Sequence, residues 1–147
     1  MAMKIKTADI PTIGVGGEFP MKRTADCDDY MSLAMRTEPT EYLKLPVHER
    51  LNHGVQGCVT EAGELTDALK RFIHYGTDLD RVNILEECGD ILWYLAIILD
   101  SIGSNFAEAQ AVNIAKLRKR FPDKFTQADA VDRDLGEERK ALEGGAS

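Results

Sequence analysis

Three features of the sequence predict an all-α fold, an antiparallel bundle of four to five helices. Apolar residues recur at three- and four-residue spacing between Val55 and Ile73, the segment from Val82 to Ile102 is apolar nearly all round a helix, and no stretch reads as a strand. With 147 residues, 44% of them hydrophobic and 29% charged, the chain has the material of one domain with an ordinary core.

Residues 1–26 carry Pro11, Pro20 and the run Gly14-Val15-Gly16-Gly17, which reads as an irregular arm. The run has neither the dinucleotide-binding glycine pattern nor a following Gly-Lys-Ser/Thr, so it does not make a phosphate loop. A short amphipathic helix is expected from Asp28 through Met35, followed by a polar connection containing Pro39 and Pro46. In the second helix Val55, Cys58, Val59, Ala62, Leu65, Leu69, Phe72 and Ile73 share one stripe, and the helix stops near Tyr75-Gly76. The polar segment Thr77 to Arg81 is short, so the helices on either side should be antiparallel neighbours. The third helix covers Val82 to Ile102 and ends at Gly103. The fourth starts near Ser104, whose hydroxyl can cap it, and runs to Phe121, because Pro122 forbids continuation. From Asp132 the chain is dense in charge and ends in glycines, which reads as a frayed helix and tail. The expected organisation is an arm over 1–26, an all-α domain over 27–131 and a charged tail over 132–147.

Charge and composition exclude several functions. The 25 acidic against 18 basic residues leave a net charge of −7, which gives no electrostatic grip on nucleic acid or on an anionic membrane. The longest apolar run, Ile91 to Leu99, is too short to cross a bilayer, and no secretion signal is evident. Cys27, Cys58 and Cys88 are odd in number and widely spaced, which suits the reducing cytoplasm.

The residues that carry chemistry are acidic. Glu61 lies at the border of the apolar stripe of its helix and Glu64 one step outside it. Glu87 projects among Ile84, Ile91, Tyr94 and Ile98, with Asp90 three residues on. A carboxylate in such surroundings costs several kcal/mol unless a cation compensates it, whether arginine, lysine or a metal ion. Glu61-x-x-Glu64 and Glu87-x-x-Asp90 have the same form, and two antiparallel helices can bring them into one four-carboxylate cluster. Mutual repulsion within it would be answered by a hard divalent cation, chiefly Mg²⁺ with Mn²⁺ as substitute. No Glu-x-x-His pair supports a ferritin-like di-iron centre, and no cysteine or histidine stands at zinc-ligand spacing beside the pairs. On the fourth helix Asn113, Lys116 and Arg120 form one stripe that can reach the outer oxygens of a polyphosphate, whereas Arg118 and Lys119 point elsewhere and answer the helix dipole. His53 and Gln56, just before the first acidic pair, are candidates for reading a nucleobase, Gln56 offering both donor and acceptor.

Three separated blocks, Glu61-Ala62-Gly63-Glu64-Leu65, Glu86-Glu87-Cys88-Gly89-Asp90-Ile91-Leu92-Trp93-Tyr94-Leu95 and Asn113-Ile114-Ala115-Lys116-Leu117, agree in order and spacing with a known pattern. Over residues 50–125 the chain resembles the MazG-like, all-α nucleoside triphosphate pyrophosphohydrolases, a superfamily that includes dimeric dUTPases and phosphoribosyl-ATP pyrophosphohydrolases. The resemblance implies hydrolysis of a (deoxy)nucleoside triphosphate between the α and β phosphates, in control of the nucleotide pool. It also implies Mg²⁺ held by Glu61, Glu64, Glu87 and Asp90, phosphate contact through Asn113 and Lys116, and a homodimer or homotetramer. Glu61 or Glu64 would accept the proton of the attacking water. The short loop from Gly76 to Asp80 does not suit the longer insertions of the dUTPases. The alternatives are a phosphoribosyl-ATP pyrophosphohydrolase and a helical oligomerisation or regulatory protein without turnover.

Overall fold

Proline and glycine punctuate the helices of the chain, whose computed structural model describes residues 27–144, with side chains from Tyr30 onward. Helix α1 spans Cys27–Met35 and leads through a single 3₁₀ turn, Tyr42–Lys44, to α2 at Val47–Tyr75. Pro46 stands at the N-cap of α2, where no backbone donor is needed. Gly76 closes the helix at a φ of 68°, and its N–H donates to the Arg71 carbonyl; a side chain would strain this left-handed position.

Helix α3, Arg81–Ser101, begins on the Asp80 carboxylate, which accepts from the N–H groups of Val82 and Asn83. Helix α4, Phe106–Arg120, is capped by Asn105 instead of the expected Ser104. The Asn105 side chain accepts from the Glu108 N–H, while the Ser104 hydroxyl donates to the Glu108 carboxylate at 2.6 Å. Both side chains have the chemistry of a cap, and the extended backbone at Asn105 decides between them. Helices α5, Gln127–Val131, and α6, Leu135–Gly144, complete an all-α chain with no strand among the described residues. The arm predicted over 1–26 lies outside the described residues.

The α2 and α3 helices form the principal packed pair. Their antiparallel register follows from the contacts: Gly54 meets Ile98, Gly57 meets Tyr94, and the Cys58 sulfur lies 4.0 Å from the Ile91 carbonyl. The approach is close, since a Cβ on Gly57 would fall 2.1 Å from the Tyr94 ring. Helix α1 bridges α3 and α4, and α4 packs chiefly on α6.

The sequence stripe on α2 is split by the structure. Cys58, Leu65 and Phe72 turn toward α3 and are half-buried, whereas Val55, Val59, Ala62, Leu69 and Ile73 stay exposed. At 100° per residue these five fall within about 80° of the helix circumference. On α3, Leu85, Cys88, Leu92, Leu95 and Ile102 are exposed within about 100°. In each helix the exposed sector is rotated in the same sense from the face that meets its neighbour, and because the helices are antiparallel, both sectors open on one side of the pair. Only Ala34, Ala96 and Ile97 are buried apolar side chains among the described residues. Periodicity reports an apolar face but not whether its cover comes from the same chain.

Two charged networks supplement this thin core. Arg50 is buried and donates through Nε to Glu38 at 2.8 Å, while its other nitrogen pairs with Asp100, tying the α1–α2 connection to the end of α3. Glu38 is itself buried, and its hydrogen bonds hold the guanidinium proton more tightly than usual. At the other end of the molecule, Glu138 of α6 is buried between Arg120 and Arg133, and Glu137 pairs with Lys119 and Lys140. The charge-dense tail therefore contains a helix docked on α4.

Candidate metal and phosphate site

Side chains on the α2–α3 face opposite the exposed apolar sectors carry the chemistry. Glu61 stands one helical turn past Gly57 and points at α3, where Glu87 and Asp90 sit three residues apart. The three carboxylates each bring an oxygen to within 4.8 Å of the others. Glu87 is 7% exposed, Glu61 intermediate and Asp90 open to solvent, so the cluster is rooted in the helix pair and faces outward.

Neighbouring side chains respond to this charge. The Tyr94 hydroxyl has its pKa raised, first by burial and then by Glu61 and Asp90. Tyr30 of α1, whose hydroxyl lies 3.5 Å from the Gly89 carbonyl, is raised by burial and then by Asp90. Asn83 of α3 donates its side-chain amide to Glu87 Oε1 at 2.6 Å. Sequence reasoning passed over Asn83, although its four-residue spacing from Glu87 was the signal available.

Three of the four sequence-selected carboxylates are thus brought together. Glu64, the fourth, is exposed and lines a cavity of about 350 Å³ at the loop end of the helix pair, with Asp67, Arg71, Thr77, Asp80 and Asn83. Arg71 donates to Asp67 at 2.7 Å, which holds the Asp67 carboxyl below its ordinary range.

On α4, Asn113 is exposed and Lys116 half-buried. Arg120, expected from the sequence to contact phosphate, is engaged instead by Glu138, with Nε to Oε1 at 2.9 Å. A phosphate role for Arg120 requires that pair to open.

His53 packs edge-to-face on Tyr42, Trp93 and Tyr94, with ring centroids 4.8, 6.4 and 5.6 Å away. Its Nδ1 is buried with no hydrogen-bond partner among the described residues. Trp93 donates its indole N–H to the Thr37 hydroxyl at 2.8 Å. Gln56 is exposed and donates its side-chain amide to Asn52 at 3.3 Å.

Three convergent carboxyl groups, one of them buried, fit a hard divalent cation and match the preference of Mg²⁺ or Mn²⁺ for oxygen ligands. No helix among the described residues is long and apolar enough to cross a membrane.

The model of the MazG nucleotide pyrophosphohydrolase domain family matches residues 51–125, which contain all four sequence-selected carboxylates with Asn113, Lys116 and Arg120. No curated protein and no solved structure gave a match.

Proposed function

Because the chain belongs to the MazG nucleotide pyrophosphohydrolase domain family, whose match takes in more than half of its 147 residues, we propose that it is a Mg²⁺-dependent (deoxy)nucleoside triphosphate pyrophosphohydrolase. It cleaves between the α and β phosphates, releasing the monophosphate and pyrophosphate, and acts in nucleotide-pool control. The observation that carries the reading is the convergence of Glu61, Glu87 and Asp90, with Glu87 buried.

Glu61, Glu87 and Asp90 would hold the cation, with Glu64 one turn along α2 completing the acidic set. When bound, Mg²⁺ or Mn²⁺ neutralises the polyphosphate and acidifies water. Glu64, outside the convergent triad, takes the proton of the water that attacks the α-phosphorus; a carboxylate not engaged by a cation keeps more of its basicity. Glu61 is the second candidate for that proton. Lys116 supplies a cation and Asn113 an amide donor to the outer phosphate oxygens, whose charge strengthens each bond. Arg120 joins them only when released from Glu138.

The base is assigned to the end of α2 that carries His53. This residue precedes Glu61 by two helical turns, about 12 Å along the axis, a distance in keeping with the span from base to phosphates. Gln56 offers its exposed amide there, and His53 Nδ1 joins it only when the ring turns out of its aromatic packing. Free Cys58 and Cys88 suit the cytoplasm.

The working unit is a dimer. The double apolar face of α2 and α3 measures about 27 Å by 20 Å, and its corrugated surface is of the order of one partner's share of a standard interface. A second hairpin turned by a two-fold axis presents matching sectors and completes a four-helix core. Val59→Lys combined with Leu85→Lys should yield monomers in sedimentation velocity. If the doubly substituted chain keeps the mass of the wild type, this face is not the interface.

The activity is tested with a panel of common and modified NTPs and dNTPs, with Mg²⁺ or Mn²⁺, assaying pyrophosphate and orthophosphate separately. Pyrophosphate with monophosphate, lost in Glu87→Gln and Asp90→Asn, is expected. Orthophosphate with diphosphate refutes the cleavage position. Turnover of phosphoribosyl-ATP alone would move the chain to the histidine-pathway reading, and no turnover of any substrate would leave a nucleotide-binding or assembly role.

A further inference from the structure

Glu87 reaches the acidic cluster from within the helix pair, and a buried carboxylate there can be turned by rotation of its own side chain. Two hydrogen bonds restrict it through a line of residues on α3. The Asp80 carboxylate accepts from the Asn83 backbone N–H at 3.0 Å and fixes the first turn. Asn83, half-buried in that turn, then donates its side-chain amide to Glu87 Oε1 at 2.6 Å.

The chemistry of the donor matters. A lysine or arginine at position 83 would orient Glu87 equally well but would cancel the charge that a cation needs. An amide orients it and brings no positive charge of its own. One oxygen accepts from Asn83, and an ionised carboxylate still has about three further lone-pair directions. Asn83 also lines the cavity shared with Glu64 and Arg71, so it stands between that space and the buried ligand.

We infer that Asn83 is a positioning residue for cation binding: its amide holds Glu87 in the orientation that completes the Glu61–Glu87–Asp90 triad. The role rests on the proposed cation pocket. Hydrogen bonds of this kind to a ligating group, when removed, typically weaken metal affinity by about 10- to 100-fold.

The test is Mn²⁺ titration of the full chain by calorimetry without nucleotide, alongside melting temperature and helical circular dichroism. Asn83→Ala should bind Mn²⁺ about 10- to 100-fold more weakly while remaining folded. Asn83→Gln, which keeps the amide on a longer arm, should recover much of the affinity. Wild-type affinity in Asn83→Ala beside a crippled Glu87→Gln overturns the role of Asn83 and leaves the cation pocket standing. Undiminished affinity in Glu87→Gln removes the pocket itself, and the role of Asn83 with it. Equal losses in the Ala and Gln variants, matched by equal losses of melting temperature, make Asn83 a structural residue and refute the inference.

Discussion

Gly57→Ala sets two effects of opposite sign against each other in the centre of α2. Replacing glycine by alanine in a helix interior normally stabilises by about 1 kcal/mol. At Gly57 the new Cβ would lie 2.1 Å from the Tyr94 ring, where ordinary contacts begin at 3.4 Å, so the ring must retreat by about 1.3 Å or the helices must separate. Overpacking of this kind costs about 1–3 kcal/mol, and three ring atoms clash within 2.4 Å, which favours the upper half of that range. A net loss of about 1–2 kcal/mol is expected, or a melting temperature lower by about 3–7 °C for a chain of this size. Gly63 provides the internal control, because a Cβ there meets nothing within 4 Å and Gly63→Ala should gain up to about 1 kcal/mol. Both variants are compared with wild type by calorimetric melting at one protein concentration, since association shifts the transition. Helices forced apart at Gly57 also draw Glu61 away from Glu87 and Asp90, so Mn²⁺ should bind more weakly in Gly57→Ala but not in Gly63→Ala. Equal or greater stability of Gly57→Ala relative to Gly63→Ala would refute the close helix approach.

Arg50→Ala leaves Glu38 buried without its cation, and breaking a buried pair of this kind costs about 3–5 kcal/mol in equilibrium denaturation; a loss under about 1 kcal/mol would mean the pair is not desolvated in solution. Asp80→Ala removes the cap of α3 and should cost about 1 kcal/mol, with hydrogen exchange rising first at Val82 and Asn83. The α6 clasp should be stable at neutral pH and fail in acid. Lys140 and then Lys119 hold the folded Glu137 carboxyl at about 2, against 4.5 for the free group, so its contribution is complete above about pH 4.5 and disappears as the pH falls toward 2. Glu138, held lower than usual by Arg120 and then Arg133, acts in the same direction. The protection of the α6 amides, taken relative to the intrinsic exchange rate at each pH, should fall over that window and hold between pH 5 and 8; loss of protection on the alkaline side would contradict the assignment.

Helix boundaries were legible wherever backbone chemistry decides them. Gly76, Gly103 and Pro122 act through a missing donor or positive φ, and neighbours hardly alter those constraints, whereas the start of α2 at Val47, eight residues before the first residue of the stripe, was not legible. The buried acid was legible too, since Glu87 among isoleucines is anomalous in any helical packing. The position of Glu64 was not: it stands about 60° from Glu61 as Asp90 does from Glu87, and only the rotation of the two packed helices decides that Asp90 reaches the triad and Glu64 does not. The docking of α6 was also hidden. Its charges suggested solvation, and only the geometry brings Glu138 between Arg120 and Arg133 across the intervening turn. Nor can periodicity tell a face covered by its own chain from one left bare, which is why Val59, Leu69 and Ile73 fell on the expected packing stripe.

Carboxylates and bare apolar sectors occupy reverse sides of the same hairpin, with mechanical and evolutionary results. Helices sealed back to back would turn two reactive surfaces outward, each reachable by small molecules without any loosening of the seal. Substitutions that strengthen or abolish pairing can then accumulate without disturbing the acid-bearing flank. Catalytic tuning would proceed under the converse freedom, limited chiefly by the glycines through which the two sides share a backbone.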